Sequence, residues 1–230
     1  MGVHDGHRDR VRDKFIKNGF DGMQEHEILE MVLFYCVPRK DTNEIAHNLI
    51  NKYGNLASVL EAEYDSLIEV EGITKSSAVY LTMFLKLMRE YDIISEKNSR
   101  KIFNANQSGE FFLKRYRGLK EEMVSAVCLD SKQNIISYEE ICKGDVSQVG
   151  FDIRKIVNFL IKNKSSMVIV AHNHPSGFAL PSNEDIKATL MLRDTLLRFN
   201  TTLLDHIIIA NDDFISMASS RNFSEIFLDK

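Results

Sequence analysis

The stretch AHNHPSGFALPSNED, residues 171–185, decides how the second half of this chain folds. It continues an apolar run, residues 167–171, of the kind found in a strand buried on both faces of its sheet. His172 and His174 come next, and in an extended backbone their imidazoles point to the same side. Proline and glycine residues then turn the chain back toward Asp185. The pattern therefore predicts a strand end, a turn and a helix start that bring two imidazoles and one carboxylate together.

This group of side chains predicts a metal site. Two neutral nitrogens from His172 and His174, one carboxylate oxygen from Asp185 and an open fourth position match a catalytic zinc centre. A purely structural interpretation stands beside it, because Ser182 and Asp185 have the S-x-x-D spacing of a helix capping box. The strand, the turn-rich excursion and the helix start in combination favour the metal.

The rest of the second half alternates strands with helices, which indicates a layered α/β domain. Its periodicity predicts strands over residues 123–129, 134–138, 167–171, 204–210 and 214–217, and helices over residues 151–164 and 183–199. In such sheets functional groups gather beyond the carboxyl ends of strands, where His172 lies. A zinc hydrolase also needs a base, and Glu139 and Glu140 at the end of the preceding strand are both candidates.

The first part of the chain is predicted to be all-α, because apolar residues recur three and four positions apart over residues 8–91. Two helical patterns within residues 64–90 are separated by a tight turn at Gly72. This segment resembles a helix-hairpin-helix, a module that offers backbone N–H groups to a nucleic-acid phosphate. A plain helical hairpin is the alternative, since a tight turn alone can require positive φ. Thr74 replaces the usual second glycine, and Lys75 is the nearest cation, so DNA contact stays open.

Between the two parts the periodicity fades into a polar stretch, residues 95–101, which we interpret as a linker. The predicted domains are therefore residues 1–100 and 101–230. Beyond the linker a cationic cluster surrounds Tyr116 and contains Lys114, Arg115, Arg117 and Lys120. Such a cluster can hold a phosphate backbone, but two neighbouring glutamates dilute it, and a solvated helix face is the favoured interpretation.

The composition excludes several classes of protein. A chain of 230 residues with 44% hydrophobic residues buries a sufficient core without disulfides. Its apolar runs are too short to cross a bilayer and residues 1–10 are polar, so a cytoplasmic location with no membrane partner is expected. The formal net charge of -4 gives no overall attraction to nucleic acid. Cys36, Cys128 and Cys142 fit reduced core thiols better than disulfides.

Together these motifs resemble the JAMM signature of MPN-type zinc hydrolases, and the RadC-like family in particular. The resemblance rests on HNHPSG at residues 172–177, on Ser182 and Asp185 at their spacing, and on LDHI at residues 204–207. It covers nearly the whole chain, since RadC-like proteins also carry an N-terminal helical region ending in a helix-hairpin-helix. It implies a cytidine-deaminase-like α/β fold for the C-terminal domain, with zinc bound by the two histidines and Asp185.

The resemblance also implies roles for the residues around the metal. Ser182 is expected to hydrogen-bond to an oxyanion or to the bound water. Counting back from Gly144, the glycine of the family pattern, favours Glu139 over Glu140 as the base, although the family's usual Gly-Thr is Gly-Asp here. His206 is expected in the core or behind the ligands rather than as a ligand.

The expected function is zinc-dependent hydrolysis. A water held by zinc and deprotonated by Glu139 would attack a carbonyl, and zinc with Ser182 would stabilise the oxyanion. JAMM relatives make a metallopeptidase acting on peptide or isopeptide bonds the resemblance-based hypothesis. The alternative is a DNA-repair-associated protein, in which the helical domain holds nucleic acid and the zinc centre is a nuclease or is structural. An interaction module with an idle site predicts a missing ligand, and none of the key positions is missing.

Overall fold

A computed structural model describes residues 5–38, 40–95, 101–102, 104–144, 152–175 and 177–228 of the chain. Its contacts divide the chain into two compact units, Met1–Met88 and Arg89–Lys230. Residues 96–100 of the predicted linker lie outside the described residues, so the predicted boundary after residue 100 stays a prediction. Among the described residues, no helix combines the length and the apolar character that a membrane span requires.

The first unit is helical, as its periodicity predicts. Its helices are α1 (Asp5–Asn18), α2 (Glu25–Leu33), α3 (Thr42–Tyr53), α4 (Leu56–Leu60) and α5 (Tyr64–Ile68), followed by α6 (Lys75–Ser95), in which the division between the units falls. Its core is built around fully buried leucines at positions 29, 33, 49, 67 and 81. Helix α3 begins where the side chain of Asp41 accepts the backbone N–H of Asn43, which satisfies an N–H that has no partner within the helix.

The turn between α5 and α6 is explained by packing and capping within this unit. Gly72 has φ of +89°, and a Cβ built on it would lie 2.6 Å from Cγ1 of Ile45 on α3. The hydroxyl of Ser77 accepts the N–H of Thr74 at 2.7 Å, and the hydroxyl of Thr74 accepts the N–H of Ser77 at 3.2 Å. A plain helical hairpin therefore accounts for Gly72, Thr74 and Ser77, and DNA contact remains the alternative hypothesis.

The second unit is built on a five-stranded mixed sheet with the order β2-β1-β3-β4-β5. Its strands are β1 (Met123–Leu129), β2 (Ile135–Lys143), β3 (Met167–Asn173), β4 (Thr202–Ala210) and β5 (Asp213–Ser216), and its helices are α7 (Ala105–Tyr116), α8 (Ile153–Asn163) and α9 (Asn183–Leu197). β3 and β4 run parallel, whereas the other neighbouring pairs are antiparallel. The predicted layered α/β arrangement is confirmed.

Helices cover both faces of this sheet. On one face α8 and α9 bury Ile156, Phe159, Leu160, Leu192 and Leu196 against alternate residues of β1 and β3. On the other face α7 buries Phe111, Phe112 and Tyr116. The apolar residues of α8 recur at helical spacing, which is why the sequence predicts this helix closely.

Helix α7 differs from the expectation of a solvated cationic face. Arg115 is 8% exposed and Tyr116 is 4% exposed. The guanidinium of Arg115 lies 3.4 Å from the centroid of the Phe111 ring and donates to the carbonyl oxygen of Phe111 at 2.7 Å. For these two residues the solvated interpretation is wrong, because stacking and a backbone hydrogen bond allow a cationic side chain to pack inside.

Two strands run further at their C-terminal ends than the periodicity predicts. β3 continues through Asn173, so His172 lies inside the strand, and β2 continues to Lys143, so Glu139 and Glu140 lie within it. The extension of β2 pairs with β1, and the extension of β3 pairs with β1 at His172 and with β4 at Asn173, so backbone partners are available in both. The three cysteines are all free thiols, as predicted, and Cys128 is fully buried.

Candidate metal centre

The candidate metal centre lies where β3 ends and α9 begins. His172 is only 3% exposed and pairs with Ile208 of β4. Beyond the strand, the backbone N–H of His174 donates to the carbonyl oxygen of Ile209 at 2.7 Å, so the chain remains held against β4 for one more residue. The two histidine side chains therefore lie on the same side of the chain.

Three candidate ligand atoms converge at this point. Nε2 of His172 lies 2.9 Å from Nε2 of His174 and 3.0 Å from Oδ1 of Asp185, and Nε2 of His174 lies 3.5 Å from Oδ2 of Asp185. A tetrahedral zinc ion with bonds of about 2.0–2.1 Å separates its ligand atoms by roughly 3.3 Å. Within the described ranges, this is the one cluster of His, Cys, Asp and Glu side chains with the spacing of a metal site. The donor set and its spacing fit a small divalent ion.

The outer nitrogen of His174 is held by the loop that follows. Its Nδ1 lies 3.0 Å from the carbonyl oxygen of Phe178. Because a carbonyl only accepts, Nδ1 carries the proton and a neutral ring keeps its lone pair on Nε2. Gly177 permits this close approach, since a Cβ there would lie 3.2 Å from Cβ of His174. Ser176 of the predicted turn lies outside the described residues.

The outer nitrogen of His172 is held from behind. Its Nδ1 lies 2.7 Å from Nε2 of His206, which is fully buried, and Nδ1 of His206 lies 2.7 Å from the hydroxyl of Thr189. The preceding residue, Asp205, accepts the N–H groups of His206 and Ala218 at 2.7 and 2.9 Å. As predicted, His206 lies in the core, and it is behind the candidate ligand His172.

Charge is balanced between the carboxylate and the imidazoles. Burial acts to raise the pKa of Asp185, but hydrogen bonds from His172 and His174 outweigh it and hold that pKa well below its usual range. The hydrogen bond to Asp185 in turn raises the pKa of His174. Burial lowers the pKa of His206 far below its ordinary value, so this ring is neutral at physiological pH.

Ser182 lies at the edge of the cluster as the N-cap of α9. Its hydroxyl oxygen accepts the backbone N–H of Asp185 at 3.1 Å, and its own N–H donates to Oδ2 of Asp185 at 2.8 Å. The capping box predicted from the S-x-x-D spacing is confirmed. The hydroxyl also donates to Oδ2 of Asp185, with 2.6 Å between the two oxygens, so Ser182 contacts a candidate ligand directly.

Glu139 lies on the sheet face that carries the histidines. Paired residues on neighbouring strands share a face of the sheet. Glu139 pairs with Ala126 of β1, and Ala126 pairs with Val170 of β3. His172 follows Val170 by two residues and therefore points to the same side. Two strand spacings, about 10 Å, separate β2 from β3, so Glu139 stands across the sheet from the cluster.

Glu140 lies on the opposite face. It pairs with Ser125, which is buried on the side covered by α7. Its carboxylate forms an ion pair with Lys143 at 2.7 Å. Burial acts to raise the pKa of Glu140, but the hydrogen bonds and charges of Lys143 and Arg89 together outweigh it, so the pKa is lowered. Of the two candidate bases, only Glu139 shares a face with His172.

Two further residues belong to the surroundings of the centre and are not predicted from the sequence. Thr189 is buried, and its hydroxyl donates to the carbonyl oxygen of Asp185 at 2.6 Å. Its position four residues after Asp185, on the same side of α9, is the signal that could have indicated it. The charge of Glu122 also acts to raise the pKa of His174. Glu122 carries no such signal, because only the pairing of β1 with β3 brings it near.

Known proteins match both parts of the chain. Residues 102–222 match the RadC-like JAB domain family, and residues 6–79 match the UPF0758 N-terminal family. A UPF0758 protein of Fusobacterium nucleatum is 36% identical over 222 residues, which cover 92% of this chain and 94% of that protein. A UPF0758 protein of Clostridium perfringens is 30% identical over 211 residues, covering 91% of this chain and 92% of that protein.

A UPF0758 protein of Legionella pneumophila shows the same extent of similarity, with 29% identity over 217 residues that cover 94% of this chain and 96% of that protein. The match to the JAB domain includes every strand of the sheet and all three candidate ligands. The chain therefore belongs to the RadC-like JAB family and carries the UPF0758 type of N-terminal region.

Proposed function

We propose that this protein is a zinc-dependent hydrolase, and specifically a metallopeptidase that cleaves a peptide or isopeptide bond. The observation that carries the proposal is the convergence of His172, His174 and Asp185 with both histidine Nε2 atoms directed at the carboxylate. Two imidazoles and one carboxylate leave a fourth position for water or substrate, which distinguishes a catalytic from a closed structural site. The proposal also includes zinc as the bound metal and a fold related to that of the cytidine deaminases.

Each residue around the centre has a task in this proposal. A bound zinc ion supplies Lewis acidity toward water and toward a carbonyl oxygen. Glu139 takes up the proton of the attacking water on its carboxylate and passes it to the leaving amine. The hydroxyl of Ser182, which now donates to Asp185, turns to donate to the developing oxyanion. The shared face of Glu139 and His172 supports this division of roles.

The loop beside the centre has exposed apolar side chains, which favour a substrate that carries an apolar group. Phe178 is 82% exposed and Leu180 is 62% exposed, although both follow His174 closely in the chain. The carbonyl oxygen of Phe178 holds the His174 ring, so the loop is anchored to the centre while its apolar side chains face solvent. A side chain of an extended peptide would remove these two groups from water.

Metal analysis tests the first part of the proposal. Purified protein should contain about one zinc per chain, whereas His172→Ala and Asp185→Asn should lose it. Asp194→Asn is the matched control, because Asp194 is an exposed carboxylate on the same helix that pairs with Arg193. Retention of zinc by both ligand variants would overturn the assignment.

Peptide hydrolysis tests the second part. Against a panel of fluorogenic peptide and isopeptide substrates, Glu139→Gln should retain zinc and lose roughly 10²- to 10⁴-fold in rate. Glu140→Gln should change the rate little, because Glu140 lies on the opposite face and pairs with Lys143. Equal losses in the two variants would contradict Glu139 as the base.

DNA contact through the helical unit is the alternative proposal. It predicts binding to duplex or branched DNA that weakens steeply with salt, since phosphate contacts release counterions. Gly72, Thr74 and Ser77 already have partners within the unit, so the turn gives this alternative no separate support. If the protein binds no DNA at low salt, the DNA alternative is wrong and the hydrolase proposal remains.

A further inference from the structure

We propose that His206 and Thr189 are positioning residues that fix the tautomer and orientation of His172, and so set the affinity of the centre for zinc. The inference rests on the proposed function, because it assumes that His172 is a ligand. Neither residue offers an atom to the metal in this arrangement. Both act through a chain of hydrogen bonds from β3 through β4 to α9.

Thr189 determines which group donates and which accepts in each hydrogen bond of this series. Its hydroxyl has one hydrogen and lies 2.6 Å from the carbonyl oxygen of Asp185, which can only accept. The sulfur of Met217 is a weaker acceptor and is more distant, at 3.8 Å. The hydrogen therefore goes to Asp185, and the hydroxyl oxygen is left to accept a hydrogen bond from Nδ1 of His206 at 2.7 Å.

The same direction continues to the ligand. A neutral imidazole with its proton on Nδ1 has an acceptor at Nε2. Nε2 of His206 therefore accepts a hydrogen bond from Nδ1 of His172 at 2.7 Å. With Nδ1 of His172 engaged as a donor to His206, Nε2 is the ring nitrogen left for a metal ion, and it faces His174 and Asp185.

The chain of hydrogen bonds closes into a ring through the centre. It leaves the cluster at His172, passes through His206 and Thr189, and returns to the backbone of Asp185. The candidate ligands His172 and Asp185 are thus connected through His206 and Thr189 as well as by the direct contact between their side chains. Thr189 and His206 each have no exposed surface, so water does not compete for these hydrogen bonds.

A pair of substitutions at Thr189 separates this role from general stability. Thr189→Val keeps the shape but removes the hydroxyl, so it should weaken zinc binding, measured by chelator competition, roughly 10- to 100-fold. Thr189→Ser retains a hydroxyl, so the zinc affinity of this variant should be within a few-fold of that of the parent protein. Thermal unfolding of the metal-free proteins shows whether each variant is folded.

Nitrogen NMR of the histidine rings supplies a readout that a merely structural role would not move. In metal-free parent protein, His172 and His206 should both carry a proton on Nδ1, and Thr189→Val should shift His206 away from that form. Parent protein that binds no zinc overturns the proposed function. Parent protein that binds zinc beside an equally tight Thr189→Val variant, or a His206 ring protonated on Nε2, overturns the positioning role alone.

Discussion

Ser182 and Asp185 cap each other at the start of α9, and the cap uses one carboxylate oxygen of Asp185 while the other faces His172. Oδ2 accepts both the backbone N–H and the hydroxyl of Ser182, at 2.8 and 2.6 Å. Oδ1 lies 3.0 Å from Nε2 of His172. The helix-capping and metal-binding interpretations of the S-x-x-D spacing are therefore compatible, because the cap orients the carboxylate that the centre requires.

Removal of the cap should destabilise the protein without removing zinc. Ser182→Ala deletes the oxygen that accepts the N–H of Asp185, and the loss of such an N-cap lowers the free energy of unfolding by about 1 kcal/mol. Urea unfolding of the full chain measures this change, and Ser182→Thr is the control that retains the hydroxyl. If Ser182→Ala unfolds at the urea concentration of the parent, the capping role is wrong.

A methyl group at Gly72 should destabilise the helical unit more than one at Gly54. Both glycines have positive φ, +89° and +95°, so both substitutions strain the backbone. Only at Gly72 does the new Cβ also overlap Ile45, whereas nothing lies within 4 Å of a Cβ at Gly54. We expect Gly72→Ala to lose about 1–3 kcal/mol more than Gly54→Ala in chemical unfolding. Equal losses would show that Ile45 moves aside freely.

The thiol of Cys36 should resist alkylation in the folded protein. Burial raises the pKa of Cys36 to about 11, so at pH 8 only about one molecule in a thousand carries the reactive thiolate. Because the folded protein favours the neutral thiol, this contribution to stability is complete below the unfolded pKa and is lost as pH rises toward 11. Peptide mapping after iodoacetamide treatment measures the reaction, with urea-unfolded protein as the fast-reacting control. Similar rates in both states would contradict the shift.

The hydroxyl of Tyr116 should contribute measurably to stability. In its buried position it donates to the carbonyl oxygen of Ala171 at 2.8 Å and lies 2.7 Å from the hydroxyl oxygen of Ser125. Tyr116→Phe removes both hydrogen bonds from a buried site, which costs about 1–3 kcal/mol. Tyr91→Phe is the control, because Tyr91 is 71% exposed. A thermal midpoint unchanged by Tyr116→Phe would mean that another donor replaces the hydroxyl.

The sequence predicts those parts of the centre that depend on local spacing. Alternation along β3 places His172 and His174 on one side, and the helix start places Asp185 after the turn. The family resemblance adds the role of Ser182. Each of these features is encoded within residues 171–185, so no knowledge of distant strand pairing is needed.

The features that depend on long-range pairing do not follow from spacing. The hydrogen bond between His172 and His206 requires the register of β4 beside β3, in which His206 pairs with Val170. The burial of Arg115 requires α7 to lie on the sheet with the Phe111 ring available for stacking. Charge and periodicity along one segment contain neither piece of information, so a cationic cluster resembles a solvated face until its neighbours are known.

The parallel pairing of β3 with β4, crossed by α9, has a consequence for folding. The candidate ligands and both residues behind them come from one β-α-β unit, Met167–Asn173, Asn183–Leu197 and Thr202–Ala210. In an unfolded chain these side chains are dispersed, so an ion bound by them would favour the folded state alone, by about 2.7 kcal/mol at a hundred times its dissociation constant. Bound metal would therefore stabilise this β-α-β unit. It would raise the melting temperature of the C-terminal unit selectively and protect the backbone amides of β3 and β4 from hydrogen exchange.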